Sequence, residues 1–275
     1  MNVKNFIIAL TAVKNAFFSG TAAQLSAGVA YYGTLSFFPL VAALVAIASM
    51  TLSKAQVAGI VNGMALYMPA DIASLLSTQL QNASAHQQAN FVIMLLALGL
   101  SIFGVSGAMD SIVRAMATIY HVKDTRPIVI QKLISIGLTL GFIAGMAVVL
   151  PLVFIGDSFL ARVGVTYEVI AAFSVLRWVI LLAVAVVGIG VVYHFALPGP
   201  RRWRWFSWGS VIATVLWIGV TWLLFVYLQL FANFSNSYSL FAGVIALMMW
   251  INFSALAVLI GAEVNKALDQ PLFTK

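Results

Sequence analysis

The chain has 275 residues, of which 63% are hydrophobic and only 8% charged. A water-soluble domain carries roughly 45–50% apolar and about 25% charged residues, so this chain lacks the polar side chains to cover a globule in water and belongs in a bilayer. The same figures exclude a disordered chain, and 14 basic against 7 acidic residues leave no dense basic face for nucleic acid. Cysteine is absent, which removes disulfides, thiolate nucleophiles and Cys-ligated metal centres.

In chain order, the first feature is a short apolar run, Phe6 to Val13, behind Lys4. It has the character of a signal-peptide core, but Lys14 follows at once and no small-x-small cleavage site is evident, so residues 1–20 are expected as an uncleaved amphipathic helix at the interface. A membrane-crossing helix takes about 20 mostly apolar residues. Six stretches qualify, near 27–52, 90–109, 133–155, 174–197, 208–231 and 240–262. They lack the alternation of barrel strands and are too long for them. The expected fold is therefore all-α, a polytopic six-transmembrane-helix bundle forming a single membrane domain over residues 1–275. Segment 53–89 is too long and polar for a tight turn. Its spaced apolar residues Ile60, Met64, Leu75, Leu76 and Leu80 predict amphipathic helices on the extracytoplasmic surface, broken at Pro69.

Lys and Arg are retained in cytoplasmic loops. One set of alternate connections holds Lys4, Lys14, Arg114, Lys123, Arg126, Lys132, Arg201, Arg202, Arg204, Lys266 and Lys275, eleven of the fourteen basic residues; the other holds Lys54, Arg162 and Arg177. Both termini are thus expected in the cytoplasm. Trp203, Trp205 and Trp208 flank the arginine cluster where an interfacial belt would sit.

Hydrocarbon cannot satisfy polar groups, so those inside spans face another helix or line a cavity. The first span is richest, with Gln24, Ser26, Tyr31, Tyr32, Thr34 and Ser36, and then Pro39, which removes a backbone hydrogen bond and frees a carbonyl near Leu35. This points either to a kinked, hydroxyl-rich pathway helix or to packed tyrosines beside a static bend. In the third span Gly137, Gly141 and Gly145 recur every fourth residue, a smooth face for helix packing, and Pro151 bends its outer end. Asp110 with Arg114, and Glu263 with Lys266, stand at spacings that let each pair meet on one helix face. Arg177 either snorkels to headgroups or pairs with Asp157 or Glu168, and Asn252 needs a partner inside the last span.

Signals for catalysis are poor. His86, His121 and His194 lack a second ligand at metal-binding spacing; His121 with Asp124 is the best acid–base pair; no nucleophile elbow and no P-loop occur. Neither an enzyme nor a bound cofactor or metal is expected.

The string from Ala27 to Leu40, Ala-Gly-Val-Ala-Tyr-Tyr-Gly-Thr-Leu-Ser-Phe-Phe-Pro-Leu, resembles the opening signature of the YihY/BrkB family of bacterial inner-membrane proteins. Ile119-Tyr120, Arg126-Pro127, Tyr193, Leu197-Pro198, Trp203, Trp250 and the closing Leu259-Ile260-Gly261-Ala262-Glu263 fall in the order that family shows, over about Phe17 to Ala267. One departure is Ser239 after Tyr238, where the family usually has glycine. The resemblance implies six spans in the cytoplasmic membrane and an association with serum resistance or with lipid and lipopolysaccharide export. It also implies that an old ribonuclease label is inherited error, since no metal cluster or aromatic-lined basic groove is present in the sequence.

The expected function is a permease or lipid-translocating protein of the cell inner membrane, with Tyr31, Tyr32, Ser36, Pro39, Arg177 and Asn252 around an inter-helix cavity. The alternative is a non-transporting envelope scaffold in which those residues only join helices. A lipid-headgroup enzyme using His121 or His194 is the least favoured reading. Expected partners are membrane lipids, with a second copy of the chain or another envelope protein as candidates, and no nucleic acid. Because the chain has no cysteine, single cysteines can report topology: labels at Arg202 and Met64 should react from opposite sides of the membrane in intact cells, and reaction from one common side would refute the map.

Overall fold

A computed structural model describes residues 3–18, 20–51, 87–154, 160, 164, 166–199, 206–231 and 239–269. Among them the chain is all helical: α1 Val3–Phe18, α2 Thr21–Thr51, α3 Gln87–Ile119, α4 Ile128–Phe154, α5 Tyr167–Ala196, α6 Trp208–Phe231 and α7 Ser239–Asp269. Helices α2 to α7 each contain a stretch long and apolar enough to cross a membrane, and α1 is shorter. This is a polytopic membrane bundle of six spans. The amphipathic helices expected within 53–89 fall almost wholly outside the described residues, as do Arg201, Arg202, Arg204, Trp203, Trp205, Asp157, Arg162 and His86.

The helices overrun the sequence-derived limits at their charged ends. Helix α3 passes Met109 and runs to Ile119, and α7 passes Ala262 and runs to Asp269. The sequence-derived limits stop each of these spans at its first charge. Those charges are instead accommodated on the helix itself, by Asp110–Arg114 at 2.9 Å and Glu263–Lys266 at 3.8 Å, the pairings the spacing predicts. Helix α5 starts at Tyr167, with Glu168 in its first turn, where an acid suits the positive end of the helix dipole.

The chain forms two compact units whose boundaries fall inside helices. The first comprises 1–27, 109–219 and 253–275. Its core joins Ala16 and Ala22 to Met109, Val113, Met116 and Ile119 of α3, Tyr193 and Ala196 of α5, and Leu256, Leu259 and Ile260 of α7. Helix α4 packs against α5 within this unit. Helices α6 and α7 cross there at two glycines. A methyl at Gly261 would strike the Gly209 carbonyl, the Tyr193 hydroxyl and, at 2.8 Å, Ala213 Cβ; one at Gly209 would strike the Gly261 carbonyl and the Asn265 amide. Backbones this close exclude any side chain at either position. The second unit comprises 28–108 and 220–252, in which a methyl at Gly33 of α2 would stand 2.9 Å from Ile251 of α7.

The glycine face of α4 behaves differently. No described atom lies within 4 Å of a methyl placed at Gly137, Gly141 or Gly145. That face makes no close approach to another described helix of this chain.

Gly261→Ala should therefore separate α6 from α7, with a cost of at least about 1–3 kcal/mol, the usual range for overpacking. Gly141→Ala should be neutral or slightly stabilising, since alanine is the better helix former by about 1 kcal/mol. Thermal unfolding of the two variants in detergent measures the contrast.

Candidate functional site

The polar residues of α2 separate onto different faces. Tyr31 is 58% exposed and meets Tyr32 edge-on, with ring centroids 5.2 Å apart. Tyr32 is half-buried, and its ring lies where a methyl at Gly107 of α3 would stand, 2.6 Å from its Cδ1. Ser36, one turn further on, is buried against Gly104 of the same helix. Its hydroxyl donates to its own helix at Gly33 O, 2.8 Å away. Tyr32 and Ser36 thus share a face seated on two α3 glycines. Helix α2 continues through Pro39, which has no N–H to offer the Leu35 carbonyl. Asn252 follows Ile251 in α7 and is half-buried, while Arg177 is half-buried on α5 in the first unit; neither is without a partner.

Most hydroxyls inside the spans bond back to their own helix, the usual solution in an apolar medium. Ser26 donates to Ala23 O, Ser101 to Ala97 O, Thr139 to Ser135 O and Thr214 to Ser210 O, all at 2.6–2.8 Å. Three depart from this. The hydroxyl oxygens of Thr34, Ser106 and Ser254 are buried with no hydrogen-bond partner among the described residues. Ser106 is only 3% exposed and stands between Gly104 and Gly107, the residues that seat Ser36 and Tyr32.

The first unit carries a separate charged network at the turn between α3 and α4. Helix α3 ends with His121 in the left-handed region at φ 54. Its N–H reaches Thr118 O and that of Val122 reaches Ala117 O, the two bonds of a Schellman cap. The chain then presents Asp124 and Arg126. The Arg126 guanidinium grips both carboxylate oxygens of Asp124, at 2.6–3.1 Å, and donates to the carbonyls of Phe195, at 3.3 Å, and Ala196, at 2.9 Å. Those carbonyls lie at the C-terminus of α5, the negative end of its dipole, where a cation is favoured. The guanidinium holds the Asp124 carboxyl below its ordinary value, chiefly through the side-chain hydrogen bonds. Asp124 is thus engaged by Arg126, and His121 serves as the helix cap. Further back along α3, Asp110 accepts from Arg114 and, at 3.3 Å, from Ser135 of α4.

Helix α6 opens on a reciprocal cap. Ser210 N–H donates to Ser207 Oγ and Ser207 N–H to Ser210 Oγ. Asn265 of α7 completes it, accepting from Gly209 N–H at 2.9 Å and donating to Ser207 Oγ at 3.0 Å. Tyr193 of α5 donates to Val258 O of α7. Sequence reasoning names Tyr193 and Gly261 only as parts of motifs, gives Arg126 no partner, and does not single out Asn265. The available signal is an Arg-Pro after one helix end and a Leu-Pro after another, but nothing local tells that residue 126 reaches residue 196.

The described residues hold no group of three His, Cys, Asp or Glu arranged to take a metal ion. The architecture is that of a helical membrane protein whose polar groups sit at helix ends and helix crossings. Residues 16–274 match the model of the family described as virulence factor BrkB, and the chain belongs to that family. It is 30% identical, over 252 residues covering 89% of each chain, to a protein of Bacillus subtilis strain 168 named as ribonuclease-like protein YfkH. No solved structure matches the chain.

Arg126→Gln should leave the Asp124 carboxylate without its partner and the Phe195 and Ala196 carbonyls without their charged donor, a loss of about 2–3 kcal/mol on the scale of hydrogen bonds to charged groups. The pH dependence has a fixed sign. A lowered carboxyl value contributes stability that is present above the unfolded value of about 3.9 and lost as pH falls through the lower folded value. The melting temperature of the native chain should therefore drop more steeply below about pH 4 than that of Asp124→Asn, as followed by unfolding scans across pH.

Proposed function

We propose that this chain is a permease of the bacterial cytoplasmic membrane that moves a lipid or another envelope component, with both termini in the cytoplasm. The observation that carries the reading is the set of buried hydroxyls, Thr34, Ser106 and Ser254, that lack partners among the described residues, inside membrane helices whose other described hydroxyls nearly all have them. A buried unsatisfied hydroxyl costs about 1–3 kcal/mol. A bundle that alternates between arrangements, or accepts polar cargo, gives such a group a partner at another stage of its cycle. Tyr32, Ser36 and Pro39 lie on the same helix as Thr34 and are the first residues we assign to the pathway, followed by Tyr31 and Asn252 of the same unit.

One observation favours the scaffold reading instead. Tyr32 and Ser36 are seated closely on Gly107 and Gly104, as residues used purely for helix packing would be. A ribonuclease activity, which the Bacillus relative's name raises, is the reading we set aside: Asp124 is bound to Arg126, and the described acids and histidines form no metal-binding group. We read the chain as non-enzymatic.

Ser106→Ala separates the two main readings. Removing a hydroxyl with no partner should leave the unfolding temperature unchanged or raise it, by up to about 1–3 kcal/mol of stability. In reconstituted vesicles the same variant should translocate labelled lipid more slowly than the native chain. If the native chain moves neither lipids nor small solutes above the protein-free rate, with or without ion gradients, the permease reading fails.

A further inference from the structure

Helix α1 is not one of the six spans. Its 16 residues, at about 1.5 Å each, reach ~24 Å, short of the roughly 30 Å hydrocarbon core. One narrow face is docked on the first unit: Ala9 and Ala16 are buried at 3% exposure and Val13 packs against the same core. At about 100° per residue these three share one side of the helix. The opposite arc exposes Ile7 (57%), Leu10 (62%), Phe17 (62%) and Phe18 (78%), with Lys14 exposed among them and Thr11 and Asn15 beyond.

The depth of this arc is fixed by the turn that joins α1 to α2. Gly20, at φ 72, turns the chain, its carbonyl accepts from Gln24 N–H at 2.9 Å, and the first span begins at Thr21. Helix α1 therefore ends where a membrane crossing starts. Residues 1–27 contain Lys4 and Lys14 and no acid at all. Large apolar side chains at the membrane boundary, with a lysine among them and no carboxylate within residues 1–27, match an anionic lipid surface: the rings and aliphatic chains enter the acyl boundary while the ammonium reaches the headgroup phosphates.

We propose that α1 is a lipid-binding surface of this chain, its Ile7–Leu10–Phe17–Phe18 face seated in the leaflet and Lys14 bound to anionic headgroups. The site is independent of whether the bundle transports anything.

The absence of native cysteine allows a direct test on the full chain in vesicles, with a spin label placed singly by Leu10→Cys, Phe17→Cys or Asn15→Cys. In phosphatidylcholine vesicles, labels at 10 and 17 should be accessible to oxygen and shielded from a water-soluble nickel reagent, and the label at 15 the reverse. Adding phosphatidylglycerol should move the label at 10 deeper, and adding Lys14→Gln to Leu10→Cys should abolish that shift. Labels at 10 and 17 as open to nickel as the one at 15 would overturn the proposal. So would labels shielded from both reagents, which would mark a protein partner or a second copy on this face. A phosphatidylglycerol shift that survives Lys14→Gln would overturn the headgroup assignment.

Discussion

The whole molecule answers to one constraint: a backbone or side-chain polar group in hydrocarbon must find its partner inside the protein. Helices satisfy the backbone, and serines and threonines satisfy themselves by donating to a carbonyl within the preceding turn. Once those local solutions are in place, little polar capacity remains for joining helices, and close approach of small residues takes over. Gly209 with Gly261, and Gly104 and Gly107 with Ser36 and Tyr32, are the results. The polar contacts that do run between helices sit mostly where the backbone itself is unsatisfied, at the end of α5 and the start of α6.

That division explains how the charged residues are used. Arg126 neutralises Asp124 and stops the carbonyls at the end of α5, one side chain answering three needs. Asp110 and Arg114 pair along α3 and take in Ser135. Where this pattern of self-bonded hydroxyls leaves a group over, as at Ser106, the exception stands out because its neighbours conform, and there we locate the functional interest of the second unit.

The fold is readable because span length and apolarity are properties of contiguous sequence; α6 matches its expected limits and the others differ only at their ends. The helix ends near Met109 and Ala262 escape such a reading because a charge looks like an exit from the membrane, whereas a carboxylate four residues before an arginine is neutralised in place. The candidate site is far less legible. The tyrosine pair can be seen, but not that Tyr31 and Tyr32 part onto different faces of α2, because helix orientation depends on neighbours far away in sequence. Glycine spacing does not by itself locate the close approaches: the regular series in α4 meets nothing described, while Gly209 and Gly261, which no spacing picks out, meet each other. Asn265 has no signature at all, since its role is defined by a helix start 56 positions earlier.

That last feature bears on how the protein is made. The N-terminal turn of α6 is finished by an amide that the ribosome supplies well after the turn itself, since Asn265 and Gly209 are 56 positions apart. Until α7 is inserted, α6 must rely on its own two serines at that end, so α7 acts as the keystone that fixes its predecessor. Assembly of this region is thereby tied to the synthesis of α7, and a nascent protein arrested before residue 265 would hold α6 in the bilayer with its entrance still loosely fastened.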